Sequence, residues 1–410
     1  MLKDISVKEA IKLILQNSET LTTEKIFLSD ALNRTIAEDI IASYNIPPYD
    51  NSAMDGFALR SEDTVGASEN NPVKLKILGT VSAGSLFNKS VGKGEAVKIM
   101  TGAKVPEGAN CIARKEITKE ENDFVYIFEH IKENNDLRKA GEDIKKGEKV
   151  IKNGTTITPA VFGILSSFGR SYIKVFKQPV VSVLVTGDEI VDIDEELSKG
   201  KIRNSNGFTL RAMLSQQGLN ACFSEIIDDN PEILKEKIKN SLNSDIILST
   251  GGVSMGEYDF VKDIIIELGF EPIFWRVRVK PGKPLFFAKK GKTLFFGIPG
   301  NPVSTMSSFY NFILPAIRKM SGKKELFLRR FKAILQDNIK RKDVRCEFIR
   351  GILHLKDNKF FVTTTGAQGS GILSSMKKGN CFIIIDEGEP FVKKGDKVTV
   401  AIFDSNFYYE

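Results

Sequence analysis

The sequence predicts a multi-domain protein of the α/β and β classes, in which a doubly wound, largely parallel α/β domain is joined to smaller β-rich and helical domains. Its 410 residues exceed what one ordinary hydrophobic core holds, so three or four domains are expected. From residue 179 onward, apolar runs alternate with helical stretches, which is typical of a parallel sheet covered by helices. Elsewhere, short alternating runs between turn residues indicate small β-rich domains.

A helical linker domain is predicted from two separate segments, residues 1–45 and 140–178. Ser6 and Glu9 match a capping box before an apolar stripe, so the first helix is predicted to begin there. In the second segment, TPAVFGILSSFG has a Thr-Pro start and a glycine stop, which predicts another helix.

The other three domains follow from the spacing of their apolar runs. Residues 46–139 predict the β-rich domain, because runs such as VKLKILG and FVYIFEHI are separated by Gly, Asn and charged turns. Residues 179–325 predict the α/β domain, with the strand-like runs VVSVLV, DIILST and TLFFGI between helical stretches. Residues 326–410 contain runs such as CFIIIDEG and KVTVAIF and no long helix, which favours a small β-barrel.

Composition limits the chemistry. The 59 basic and 52 acidic residues are spread along the chain, which disfavours a nucleic-acid binder. No apolar run approaches the ~18 residues of a membrane span, and MLKDISVKEA does not match a signal peptide, so a cytoplasmic location is expected. The four cysteines form no CxxC pair and there are only two histidines, which leaves carboxylates, hydroxyls, cationic side chains, backbone amides and a hard divalent cation.

The stretch STGGVSMGEYDF, residues 249–260, joins a buried strand to a helix. Its glycines allow backbone N–H groups to approach an anion, and the helix adds its positive end. The spacing matches neither GxxxxGK[ST] nor GxGxxG, so neither an ordinary NTPase nor a dinucleotide fold is supported. Taken alone, the stretch is more typical of a tight turn closed by Ser254 and capped by Asp259.

Further loops give the glycine stretch its context. KPGKP, residues 280–284, places two lysines about one turn apart with Arg276 upstream, which is enough positive charge to hold a phosphate group. GIPGNPVS, residues 297–304, ends another strand in a rigid loop, whereas TGDE and DDNP leave carboxylates at strand ends. Taken alone, KPGKP could instead be a solvated basic turn that binds no phosphate. AMDG and KIMTGA, each taken alone, are also typical of turns.

Eight stretches, in order from about residue 47 to residue 370, together resemble the molybdopterin molybdenumtransferase family, which includes bacterial MoeA and the E domain of gephyrin. They are PPYDNSAMDGFAL, KIMTGAKVPEGAN, VTGDEIV, IRNSNGFTL, STGGVSMGEYDF, KPGKPLFF, GIPGNPVS and TTTGAQGS. The four predicted domains agree with those of the family, and the third resembles the MoaB and Mog fold.

The resemblance implies the final step of molybdenum cofactor biosynthesis. In that step molybdate-derived molybdenum is inserted into adenylyl-molybdopterin and AMP is released, with the help of a divalent cation such as Mg²⁺. The implied partners are adenylyl-molybdopterin, molybdate and a second copy of the chain, with the upstream adenylyltransferase and apo-molybdoenzymes as further expected contacts. Neither nucleic acid nor a membrane is implied, and molybdate and tungstate are both compatible with the sequence.

The resemblance also implies roles for residues at the matching positions. The implied catalytic residues are Asp55, Thr101, Glu189, Asp228 and Asp259. Carboxylates facing an anionic substrate would repel it unless a cation bridged them, so Asp228, Asp259 and Glu189 are the implied metal ligands. The implied substrate-binding residues are Ser249, Gly251, Gly252, Ser254, Gly256, Glu257, Arg276, Lys280, Lys283, Pro299, Asn301, Pro302, Arg350 and Ser370.

Two other functions remain compatible with these motifs. One is an adenylyltransferase acting on the same pterin, because the α/β domain alone resembles the fold of those enzymes. The domain that carries Asp55 and Thr101 argues against it. The other is a non-catalytic pterin-binding scaffold, which is disfavoured because the chain has no long linker or low-complexity arm for capturing partners.

Overall fold

The computed structural model describes residues 1–228, 230–252, 261–341, 344–405 and 408–409. The chain divides into two compact units: a first unit of residues 1–38, 154–162 and 171–410, and a second unit of residues 39–153 and 163–170. None of the helices in the described residues has the length and apolar character that crossing a bilayer requires.

Helices and strands follow one another along the described residues. The α-helices are α1 (Val7–Asn17), α2 (Pro159–Ser167), α3 (Ser205–Ser215), α4 (Pro231–Asn240), α5 (Val261–Glu267), α6 (Pro302–Ser308), α7 (Leu314–Met320) and α8 (Ser374–Lys378), and a π-helical turn (Phe309–Ile313) joins α6 to α7. The strands are β1 (Leu2–Ile5), β2 (Thr23–Phe27), β3 (Ile40–Ile41), β4 (Asn51–Ser52), β5 (Gly56–Leu59), β6 (Val73–Val81), β7 (Glu95–Ile99), β8 (Cys111–Arg114), β9 (Thr118–Glu121), β10 (Phe124–Ile127), β11 (Leu137–Arg138), β12 (Lys149–Ile151), β13 (Tyr172–Phe176), β14 (Val181–Thr186), β15 (Ile190–Val191), β16 (Ile202–Arg203), β17 (Ala221–Ile227), β18 (Ile246–Thr250), β19 (Glu271–Val277), β20 (Val279–Lys280), β21 (Phe286–Lys290), β22 (Thr293–Ile298), β23 (Arg330–Leu335), β24 (Ile339–Lys340), β25 (Cys346–Lys356), β26 (Lys359–Thr364), β27 (Cys381–Ile385), β28 (Phe391–Val392), β29 (Lys397–Ile402) and β30 (Tyr408–Tyr409).

The largest element of the first unit is a seven-stranded sheet in the order β1-β19-β21-β22-β18-β14-β17. Strands β22, β18, β14 and β17 run parallel to one another, as the sequence predicts. Strand β21 is antiparallel to both β19 and β22, so the sheet is mixed. Strands β21 and β22 are antiparallel because a two-residue turn joins them. Lys290 pairs with Thr293 across this turn, and Gly291 within it has a φ of 57°, which suits a tight hairpin.

Both faces of this sheet are covered, which explains the continuous apolar runs. Val183 and Val185 pack into one core, to which α1, α3, α6 and α7 contribute. Leu184 faces the opposite way, into a second core with residues of α4 and α5. A parallel strand covered on both faces needs apolar residues at nearly every position, and all six residues of β14 are buried. Helix α1 begins as predicted, because the Glu9 backbone N–H donates to Ser6 Oγ at 3.2 Å.

The tail of the first unit forms the predicted small barrel. Strands β25, β26, β23, β29 and β27 pair in that order, and β27 also pairs with β25, which closes the sheet on itself. Closure leaves no open edge among these strands. Strand β20 from the KPGKP region adds to the barrel beside β25, so this loop is tied to the barrel by backbone pairing.

The second unit is β-rich, also as predicted. Its main sheet has six strands in the order β8-β5-β7-β6-β10-β9. Gly56, the glycine of AMDG, lies where β5 meets β8, and a Cβ atom there would be 2.0 Å from the carbonyl oxygen of Ala113. Only glycine therefore fits this strand pairing without a backbone shift. The predicted fold class is confirmed, whereas the four-domain division with boundaries at 45, 139, 178 and 325 stays a prediction.

Candidate active site

A cavity of about 630 Å³ lies at the carboxyl ends of β14, β18 and β22 in the first unit. Parallel strands direct the loops that follow them to one edge of a sheet, so three separate loops meet here. The other walls come from the start of α3, the KPGKP loop and the tail. The predicted site residues that line the cavity are Glu189, Gly251, Gly252, Lys280, Lys283, Pro299, Asn301, Pro302 and Ser370.

The first glycines of the STGG stretch are needed for close packing. Gly251 has a φ of 101°, and a Cβ atom on it would lie 2.4 Å from the carbonyl oxygen of Thr186. Gly252 has a φ of 59°, and its Cβ would lie 2.8 Å from a methyl group of Val261. Any side chain here would push the loops after β14 and β18 apart. The predicted residues Ser254, Gly256, Glu257 and Asp259 lie outside the described residues.

Asn206 holds the cavity loops together. It is buried at the start of α3, and its Nδ2 donates to Thr250 Oγ1 at 3.2 Å and to the carbonyl oxygen of Gly300 at 2.6 Å. One amide thus joins the loop after β18 to the loop after β22. Asn204 caps the same helix by accepting from the Gly207 backbone N–H at 2.8 Å. Neither asparagine is among the predicted site residues, although both lie in the stretch IRNSNGFTL, which carries part of the family resemblance.

One wall of the cavity carries positive charge. Lys280 and Lys283 line it, together with Arg345, which is not among the residues predicted from the sequence. The Lys280 ammonium lies 2.8 Å from a carboxylate oxygen of the buried Glu347, whose other oxygen is 3.1 Å from Arg341 Nε. Lys280 is therefore held in place by a carboxylate that already has a second cationic partner.

The tail reaches the cavity through Gln368, Gly369 and Ser370. Arg350 does not line the cavity. It is buried, and its guanidinium donates to the Gly369 carbonyl oxygen and to Ser375 Oγ, both at 3.0 Å. Burial lowers the pKa of Arg350 to about 10. This predicted substrate-binding residue thus supports the loop that reaches the cavity rather than forming its wall.

Three other predicted residues also lie outside the lining. Arg276 has a left-handed φ of 67°, and its guanidinium pairs with Asp4 at 3.1 Å and stacks over Trp275. Ser249 is buried within β18, and its hydroxyl has no hydrogen-bond partner among the described residues. Asp228 is exposed just after β17. Their assignments to binding or catalysis stay predictions.

Two of the three predicted metal ligands lie among the described residues. Glu189 is exposed on the cavity wall, Asp228 follows the neighbouring strand, and Asp259 is outside the described residues. Within the part of the chain that the structure describes, no three His, Cys, Asp or Glu side chains cluster closely enough to hold a metal ion. Carboxylate oxygen is nonetheless the donor type that Mg²⁺ prefers, so Glu189 fits such an ion in its chemistry.

The two predicted catalytic residues of the second unit lie together. Thr101 donates to one carboxylate oxygen of Asp55 through its hydroxyl at 2.6 Å and through its backbone N–H at 2.7 Å. The hydroxyl bond, the backbone bond and the charge of Lys115 lower the pKa of the Asp55 carboxyl. Because both residues are exposed, this ionised carboxylate is available to a ligand in water.

The fold and the cavity define a class of protein: an α/β domain with glycine loops and a cationic wall at the carboxyl edge of its parallel strands, suited to a phosphorylated ligand. Three family models match the chain. They are described as the MoeA N-terminal region (domain I and II) at residues 5–169, a "Probable molybdopterin binding domain" at residues 182–319, and the MoeA C-terminal region (domain IV) at residues 332–403.

Known proteins are similar to this chain over nearly its whole length. The molybdopterin molybdenumtransferase of Staphylococcus aureus (strain Mu50) is 34% identical over 406 residues, covering 98% of this chain and 96% of that protein. That of Haemophilus influenzae is 36% identical over 386 residues, covering 93% and 94%. The MoeA protein of Pyrococcus horikoshii OT3, a solved structure, has a TM-score of 0.83 at 31% identity and covers 98% of this chain and 100% of its own. The chain belongs to the molybdopterin molybdenumtransferase family, and it is a transferase of molybdenum cofactor biosynthesis.

The Asp55–Thr101 pair generates a first prediction. In Thr101→Val the hydroxyl bond is lost and the backbone bond is kept, so the pKa of Asp55 should rise toward its ordinary value. Thr101→Ser keeps a hydroxyl and should leave the pKa nearly unchanged. Carboxyl chemical shifts followed by NMR across the acid range would measure this, and equal pKa values in Thr101→Val and the wild type would contradict the assigned cause.

Proposed function

We propose that the cavity binds adenylyl-molybdopterin, and that the enzyme inserts molybdate-derived molybdenum into it with release of AMP, assisted by a divalent cation. The observation that carries this proposal is the combination of close-packed glycines and four cationic residues around one cavity of about 630 Å³, namely Arg203, Lys280, Lys283 and Arg345. A phosphoanhydride requires such donors, because its oxygens are anionic and accept both backbone and charge-assisted hydrogen bonds. The cavity volume is within the range of ligand sites.

The cationic wall and the glycine loops have separate roles in this proposal. Lys280 and Lys283 hold the phosphate oxygens of the substrate as point charges, and Arg345 adds a planar fork suited to phosphate or molybdate oxygens. The backbone at Gly251 and Gly252 allows the pterin phosphate to approach closely. Molybdenum stays in one oxidation state, and the step that frees AMP is cleavage of a phosphoanhydride bond by an oxygen nucleophile.

Glu189 brings a negative charge to the same cavity. A divalent cation, when bound, would neutralise phosphate oxygens and polarise the phosphorus for attack. Glu189 supplies a carboxylate oxygen on the cavity wall for that purpose, with Asp228 and Asp259 as the further proposed ligands. In the second unit, Asp55 and Thr101 are proposed to position molybdate or the attacking water, because their hydrogen bonds keep the Asp55 carboxylate ionised and oriented.

The enzyme is proposed to act as a homodimer in the cytoplasm, with the upstream adenylyltransferase and apo-molybdoenzymes as partners. The support is membership of the family, whose models match the chain in three regions. Light scattering should give twice the chain mass of 45.6 kDa. A mass of one chain at the concentrations used for activity would remove the dimer from the proposal.

The function is tested by incubating the protein with adenylyl-molybdopterin, molybdate and Mg²⁺, and by following AMP and cofactor formation together. Both products should appear in equal amounts, should stop when the cation is chelated, and should return when Mg²⁺ is added back. Full turnover by the metal-stripped protein would contradict the cation role. Formation of adenylyl-molybdopterin from ATP, with no cofactor made, would support the adenylyltransferase alternative instead.

Lys280→Ala tests the cationic wall. The loss of a charge-assisted contact is worth about 1.5–3 kcal/mol, so adenylyl-molybdopterin should bind about ten- to a hundredfold more weakly. Glu347 keeps Arg341 as a partner in the variant, so the fold should survive. The exposed Lys292, which lies outside the cavity lining, gives a matched control in Lys292→Ala. Equal affinities for both variants in a calorimetric titration would favour the solvated-turn interpretation of KPGKP.

A further inference from the structure

A second large cavity, of about 790 Å³, lies elsewhere in the first unit. It is bounded by α7 and the segment that follows it, by the turn at residues 154–158, and by the end of β29. Among the described residues, none lines both this cavity and the active-site cavity. Its described lining residues include none of the site residues named above, so the proposed reaction does not account for it.

This cavity is strongly cationic. Its lining contains Arg318, Lys323, Lys324 and Arg329, with Glu325 as the one acidic residue among the described lining residues. Within the described part of the chain, no carboxylate oxygen lies within 4 Å of any of these four cations, whereas Lys280 and Lys283 in the active site each have one. The positive charge of the second cavity is therefore not neutralised by ion pairs within these residues.

The backbone positions of two of the cationic residues are fixed relative to each other. Gly322, with a φ of 70°, ends α7 in a tight turn in which the Lys323 backbone N–H donates to the Arg318 carbonyl oxygen at 2.9 Å. A Cβ atom on Gly322 would lie 2.3 Å from the ring of Phe176, so the turn is packed in place. The Arg318 guanidinium is held by the Phe327 carbonyl oxygen at 2.7 Å and by Gln217 at 3.3 Å.

Holding like charges together in a half-buried site is unfavourable. Burial lowers the pKa of Arg318, the charge of Glu325 partly opposes this, and the charge of Arg329 lowers the pKa further. Burial and the charge of Arg318 lower the pKa of Lys323. An anion bound between them would relieve both effects, because it restores the interactions that burial removes. The arrangement is the one expected of a site built for a negatively charged ligand.

The remaining lining combines threonine, glutamine and serine side chains with an apolar and aromatic part. Tyr310, Phe327 and Phe331 line the cavity, and Tyr310 stacks on Phe403 with ring centroids 5.7 Å apart. Phe327 and Phe331 are each 37% exposed, so their rings are available for contact. An inorganic anion would use the cations and leave these rings in water, whereas a ligand with a planar ring would cover them.

We propose that this cavity is a second binding site, separate from the active site, for a phosphorylated organic molecule that carries an aromatic ring. The phosphate lies between Arg318 and Arg329, with Lys323 beside it, and the ring lies against Phe327 and Phe331. This proposal does not depend on the reaction proposed above, because none of these residues belongs to the active-site cavity.

Pyridoxal 5′-phosphate is a suitable probe, because it combines a ring and a phosphate with an aldehyde that condenses with a lysine amine and loses water. After brief exposure of the full-length protein, borohydride reduction and peptide mapping, Lys323 should be modified at least about fivefold faster than the exposed Lys292, because burial makes its amine more nucleophilic and the phosphate docks beside it. Excess inorganic phosphate should slow labelling at Lys323 and leave Lys292 unchanged.

Two controls separate this site from general lysine reactivity. Pyridoxal without its phosphate should lose the preference for Lys323. Arg329→Gln, which removes a cation with no side-chain hydrogen bond to other described residues, should reduce labelling of Lys323 about threefold or more while the thermal unfolding midpoint stays unchanged. Equal labelling by both probes, or equal labelling of Lys323 and Lys292, would overturn the proposal. Protection by inorganic phosphate, with no preference for the phosphorylated over the plain aromatic probe, would also overturn it.

Discussion

The active site depends on one constraint, which is that three neighbouring parallel strands, β14, β18 and β22, are buried on both faces. Residues of β14 alternate between the core beneath α1, α3, α6 and α7 and the core beneath α4 and α5. This double burial fixes the register of each strand, because a shift by one residue would move every side chain into the opposite core. The end point of each strand is fixed with its register. The loops that follow are positioned by those end points, which lets short polar loops form a defined cavity on a rigid base.

The loops are then held to one another by few polar contacts. Asn206 joins the end of β18 to the loop after β22, the Gly251 backbone N–H donates to the Ile298 carbonyl oxygen at 3.2 Å, and the buried Arg350 binds the tail loop at Gly369. Each contact lies in a region with little water, where an unsatisfied donor is costly. The cavity therefore has much of its shape before a ligand enters, so less ordering is needed on binding.

Much of this organisation could be predicted from the sequence, because local signals carry it. The capping box at Ser6, the strand and helix alternation, and the glycine and KPGKP loops are properties of contiguous residues. The roles of Asn206 and Arg345 could not be predicted, since an ordinary polar residue becomes important only when distant loops meet around it. The pairing of Arg276 with Asp4 could not be predicted either, because the two residues are far apart in the sequence.

The pairing of β1 with β19 affects the order in which the chain can assemble during translation. Leu2 lies opposite Phe274, so β1 has no partner in this sheet until the chain has been made as far as β19. At ordinary elongation rates that delay is on the order of tens of seconds. Residues 39–153 form the bulk of the second unit and can find one another much earlier. Strand β1 therefore pairs only after β19 has been made, and until then its apolar residues are open to chaperones.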